Sequence, residues 1–159
     1  TNIDYTDHIK DEPLDNYANL ISGTTSSSLT ISDANLNVTN TSSSFYSAYS
    51  NIGVKSGKWY AEVKVVNEGN NTIEAGVSTE SALYIKNTSN QNGLVSGNVH
   101  WNLDNDNSPN YATIYPNGNY SSSTPQQKAV DNDIIGIELN ADNSEVTFYR
   151  NGTQFHTTQ

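Results

Sequence analysis

A chain of 159 residues is long enough for one domain with a real core and too short for two comfortable ones. A formal net charge of −10, with seven Lys and Arg spread singly, argues against binding to nucleic acid or an anionic membrane, both of which need clustered basic residues. Hydrophobic residues make up only 33% of the chain, which implies a small core and many loops, but the aromatics sit in alternating segments and charged residues are only 15%, as in a folded β protein rather than a disordered one.

The chain has no cysteine, which excludes a disulfide framework and a thiolate zinc site. No apolar run approaches the roughly 18 residues that span a bilayer, and residues 1–20 lack a charged leader with an apolar core. A chain that starts at Thr1 and contains no Met is expected to have lost its initiator, or to be a processed or cropped piece of a longer protein.

Thr1 to Asn19 is acidic and irregular, and Pro13 limits helix formation, so residues 1–20 read as an N-terminal arm. Leu29-Thr30-Ile31 and Leu36-Asn37-Val38-Thr39 alternate on either side of Ser32-Asp33-Ala34-Asn35 and predict a hairpin. A third strand falls around Phe45 to Val54. The turn Lys55 to Lys58 leads into Trp59-Tyr60-Ala61-Glu62-Val63-Lys64-Val65, the strongest strand pattern in the chain. Its alternation predicts a central strand with Trp59, Ala61, Val63 and Val65 facing the interior together.

Ile73, Ala75 and Val77 alternate in a short strand, after which regular patterning is lost from Thr79 to Asn98 apart from Leu83-Tyr84-Ile85. A connection that long in a compact domain is often functional. Val99 to Leu103 alternates again, and Leu103 to Asn110 is an acidic, Asn-rich loop. Tyr111 to Tyr115 is expected to meet Tyr120 across Pro116-Asn117-Gly118-Asn119, whose Asn-Gly is a hairpin signal. In the tail, Ile135, Ile137 and Leu139 share one face, a turn covers Asn140 to Ser144, Val146 and Phe148 share one face, and Asn151-Gly152 turns again. Strands joined by turns at short intervals, with no sustained helical period, predict an all-β antiparallel sandwich or barrel.

Four segments in order carry a family resemblance: Gly57-Lys58-Trp59-Tyr60-Ala61-Glu62-Val63-Lys64-Val65, Ala75-Gly76-Val77, Asp131-Asn132-Asp133-Ile134-Ile135-Gly136-Ile137-Glu138-Leu139, and Val146-Thr147-Phe148-Tyr149-Arg150-Asn151-Gly152. They resemble a SPRY (B30.2-like) domain over about Leu29 to Gly152. Asp15 to Leu20, followed by Leu36 to Thr39, is also similar to the SPRY-like modules of tailed-phage structural proteins. The resemblance implies an antiparallel SPRY-like β-sandwich over residues 21–159 behind the arm, and a binding module rather than an enzyme. Asn132 stands where the family usually has Gly, a mild change because Asn is the next best residue at positive φ. The family normally continues with further strands beyond its "FYKNG" segment, whereas this chain stops at Gln159. The sandwich is therefore expected to lack its usual final strands, unless a partner or the arm adds a strand to the open edge.

No catalytic pattern stands out. His8, His100 and His156 lie in no nucleophile or metal pattern and read as surface or internally satisfied histidines; no G-x-S-x-G occurs. Paired carboxylates for glycoside hydrolysis carry no sequence signature, and Asp104, Asp106 and Glu138 are the candidates for that alternative. Asp104-Asn105-Asp106-Asn107-Ser108 alternates like a calcium loop but has Pro109 and Tyr115 where such a loop needs Gly and Glu, so no metal and no cofactor are expected. The candidate ligand-binding residues are Tyr84, His100, Trp101, Asp104, Asp106, Tyr111, Tyr115 and Tyr120, since Tyr and Trp give contact area at low entropic cost. Of these, Trp101 is expected first to fill the sandwich interior and only second to contact a ligand. The expected role is a non-enzymatic virion component, a tail fibre, head fibre or capsid decoration protein. Its partners would be other virion proteins, copies of itself or a host-surface ligand. The alternatives are a carbohydrate-active enzyme and a cellular peptide-binding adaptor.

Overall fold

The computed structural model describes residues 18–22, 28–41, 46–67, 73–79, 99–102, 113–115 and 129–158. Every regular element among them is a strand: β1 (Leu20–Ser22), β2 (Leu29–Ser32), β3 (Asn37–Asn40), β4 (Ala48–Ser50), β5 (Lys58–Lys64), β6 (Glu74–Val77), β7 (Val99–Asn102), β8 (Thr113–Tyr115), β9 (Ile134–Asn140), β10 (Glu145–Arg150) and β11 (Thr153–Thr158). All the pairings are antiparallel. The all-β antiparallel expectation holds.

Two small sheets come first in the chain. β2 and β3 form the expected hairpin, with Ile31 opposite Val38. Its turn holds Asp33, Ala34 and Asn35 at φ 52°, 55° and 66°, a region that Asp and Asn tolerate better than Ala. The third strand is shorter than the pattern suggested, only Ala48 to Ser50, and pairs with β1, which the sequence had left at the end of the arm.

The main sheet has the order β11-β10-β9-β5, and β6-β7-β8 forms a second layer. Between them lies the core: Trp101 and Val99 of β7, Ile135 and Ile137 of β9, Val146 and Phe148 of β10, with Val65 and Ala129. Ile73, Ala75, Val77, Leu139 and Phe155 pack against it. Its centre is aromatic: the Trp101 ring lies 4.1 Å from Phe155 and 6.1 Å from Phe148, and Phe148 stacks on Phe155 at 6.2 Å. Phe155 reaches this cluster because the β10–β11 register shifts between Phe148 and Tyr149, a bulge that re-aims the side chain. β11 itself is a strand the sequence pattern did not reveal.

The strand read as central is at the edge of its sheet. Trp59, Ala61 and Val63 do lie opposite Leu139, Ile137 and Ile135, hence on the core-facing side. Trp59 is nevertheless 49% exposed, Val63 41% exposed, and all seven residues of β5 are exposed. Only Val65, just past the strand, is buried. The aromatic cluster sits over β10 and β11, so the second layer covers that side of the sheet and β5 extends beyond it.

The turns are set by backbone needs. Gly57 takes φ 84°, its N–H donates to Asp142 Oδ1 at 2.9 Å, and its carbonyl accepts from Ala141 N–H at 2.9 Å. The turn into β5 is thereby tied to the β9–β10 turn. Asn132 takes φ 73°, as its place in the family pattern required.

Candidate functional site

Two polar constellations hold the main sheet in shape. The first gathers on Asp133, which stands at the start of β9 and is buried. Its Oδ2 accepts from Arg150 Nε at 2.7 Å, Arg150 Nη2 at 2.6 Å and Val130 N–H at 2.8 Å, while Oδ1 accepts from Asn151 Nδ2 at 2.8 Å. Asn151 Oδ1 in turn accepts from Ile134 N–H at 2.9 Å. Burial pushes the Asp133 carboxyl up, but the bonds from Val130, Asn151 and Arg150 and the guanidinium charge outweigh it and hold the carboxyl below its usual value. This arrangement welds the start of β9 to the end of β10 and is structural in character.

The second lies on the outer face, where register places Tyr60 beside Glu138, and Glu62 and Tyr149 on either side of Gly136. Tyr60 donates to Glu62 Oε1 at 2.9 Å and Tyr149 to Glu138 Oε2 at 2.6 Å. The two rings meet edge to face at 6.0 Å and 75°. Both phenols titrate above their ordinary value, Tyr60 through burial and the Glu62 bond, Tyr149 chiefly through the Glu138 bond. Tyr60 is 54% exposed, so this aromatic and acidic platform faces outward.

Gly136 makes the platform possible. A methyl group there would land on the Tyr60 hydroxyl, 3.0 Å from its Cζ and 3.1 Å from Tyr149 Cβ. Gly136→Ala is expected to cost about 1–3 kcal/mol of stability by overpacking and to release Tyr60 from Glu62. Urea unfolding and ultraviolet phenol titration check both parts; an unchanged midpoint together with unchanged phenol titration would count against the close packing.

The ligand residues expected from the sequence are only partly placed. Trp101 takes the interior place expected of it: it is 1% exposed and packed against Phe148 and Phe155. His100 and Tyr115 are backbone partners across β7 and β8. Tyr84, Asp104, Asp106, Tyr111 and Tyr120 lie outside the described residues, as do the calcium-like loop, the Asn117-Gly118 turn and residues 1–17 of the arm. Glu138, the remaining carboxylate of the hydrolase alternative, is engaged by Tyr149. His156 belongs to β11, where it is the register partner of Phe148, and burial lowers its pKa. Among the described residues no three His, Asp or Glu gather as metal ligands, and no helix is long and apolar enough to cross a membrane.

Sequence reasoning missed both constellations. The first was accessible, because the turn at Ala141 to Ser144 fixes the β9–β10 register and so sets Asn151 beside Ile134. The second was not, since nothing local sets β5 against β9 across the intervening chain.

A family model for the SPRY domain matches residues 58–159, and the chain belongs to that family. The match begins at β5 rather than near Leu29 and runs past Gly152 to include β11. SPRY domains are protein-interaction modules and generally not enzymes. A comparison with curated proteins gives no match.

Proposed function

We propose that this chain is a non-enzymatic recognition module of a phage virion, part of a tail fibre, head fibre or capsid decoration protein, that binds a protein or host-surface ligand through its loops. Its partners are other virion proteins and copies of itself. The observation that carries the recognition part is topological. Antiparallel pairing sets Val77 opposite Val99 and His100 opposite Tyr115, so the chain leaves β6 and β8 at the same end of the second layer. Two long connections, toward Tyr84 and toward Tyr120, thus leave the same end of the sheet on either side of β7, an arrangement in which loops carried by a sheet serve recognition. The virion assignment is supported by the phage-like leading segment and the Asn, Ser and Thr-rich composition.

Co-sedimentation with virions tests the assignment: the purified chain is expected to pellet with particles. Tyr84→Ala and Tyr120→Ala should weaken ligand capture about tenfold or more with Tm unchanged. A chain that stays in the supernatant and releases sugars from host polysaccharide would instead favour the carbohydrate-active enzyme.

A further inference from the structure

β5 is a seven-residue strand that pairs with β9 along its whole length and, among the described residues, with nothing on its other side. It contains no proline and pairs in continuous register without a bulge, two of the devices that normally blunt an open edge. Which residues face that edge follows from the hydrogen bonds. Val65 N–H donates to Asp133 O at 2.9 Å and Gly57 O accepts from Ala141 N–H at 2.9 Å, so the odd-numbered positions direct their backbone groups toward β9. Alternation then sends the N–H and C=O groups of Lys58, Tyr60, Glu62 and Lys64 outward.

Three of those four, Lys58, Glu62 and Lys64, carry the charges of the strand, and charge selects the partner. An antiparallel two-fold axis at Tyr60 sets Lys58 opposite Glu62 of a second copy and Glu62 opposite Lys58. An axis at Ala61 would set Lys58 opposite Lys64, and one at Glu62 would set two carboxylates face to face; directly opposed like charges destabilise a sheet. The Tyr60 axis also brings Trp59 opposite Ala61 of the copy on the core-facing side, where Trp59 and Val63 are half exposed. We propose that two copies of this chain pair through β5 about an axis at Tyr60, joining their main sheets into one continuous eight-stranded sheet. The proposal deepens the self-assembly named above and rests on that reading only for taking a second copy as the occupant.

The test is sedimentation equilibrium of the full chain from about 1 μM to about 1 mM. The wild type is expected to dimerise. Glu62→Lys replaces both Lys–Glu pairs by Lys–Lys pairs and should raise the dissociation constant about tenfold or more. Lys58→Glu combined with Glu62→Lys should restore it. Lys64→Glu, outside the paired residues, should leave it unchanged. A monomer throughout this range, an effect of Glu62→Lys smaller than about twofold, no rescue in the double variant, or tightening by Lys64→Glu would each overturn the pairing. Co-sedimentation with virions reads the proposed function separately: a monomer that still pellets with particles overturns the β5 dimer alone, whereas a charge-sensitive dimer that does not pellet upholds it and overturns the virion assignment.

Discussion

Asp133→Ala is expected to destabilise the domain by about 3 kcal/mol, because it removes the buried carboxylate on which a partly buried ion pair and two further hydrogen bonds converge. Arg150 would lose the one oxygen that faces both its Nε and its Nη2, and Val130 N–H and Asn151 Nδ2 would lose their acceptors. For a domain of this size the loss corresponds to a fall in Tm of about 6–12 °C. Asp133→Asn keeps the volume and one carbonyl acceptor, so it should fall between wild type and alanine. The pH dependence has a defined sign. The folded carboxyl lies below its ordinary value of 3.8, so its contribution is complete above that value and is lost as pH falls through the folded pKa. Wild type should therefore lose more Tm than Asp133→Asn as pH drops from about 5 toward 2. Parallel Tm curves for the two proteins would show that the carboxylate charge contributes nothing.

The two tryptophans should behave oppositely. Trp101→Ala is expected to cost about 3–5 kcal/mol, since it empties the centre of the three-ring cluster. Trp59→Ala should cost about 1 kcal/mol or less, because half of its ring is exposed and its one polar contact is Nε1 donating to Ser56 O at 2.8 Å. Trp101→Phe should be milder than Trp101→Ala, as it retains a ring and removes a buried Nε1 that has no partner among the described residues. Urea denaturation followed by near-ultraviolet circular dichroism measures all three. Equal costs for Trp59→Ala and Trp101→Ala would restore β5 to the centre of the fold and contradict the strand order.

A substitution series of this kind separates what alternation specifies from what it leaves open. Period-two patterning correctly assigned Trp59, Ala61 and Val63 to one face and Ile135, Ile137 and Leu139 to the same side of the sheet. It carries no information about whether a second layer reaches over a given strand. Phe155 shows the converse: Thr153 to Thr158 has no apolar alternation, and its single aromatic enters the core only because a bulge turns it inward.

By itself, then, the sequence determined the elements whose causes are local. The β2–β3 and β9–β10 hairpins follow from turn chemistry beside alternating residues, Gly57 and Asn132 suit positions of positive φ, and the four ordered anchors carried the SPRY resemblance that the match over residues 58–159 supports. Tertiary structure alone decided that β5 is an edge, that Asp133 clamps Arg150 and Asn151, and that Tyr60 crosses Tyr149 above Gly136. Most of these depend on pairings between residues far apart in the chain, and Cα alternation within one strand is blind to the neighbour it acquires.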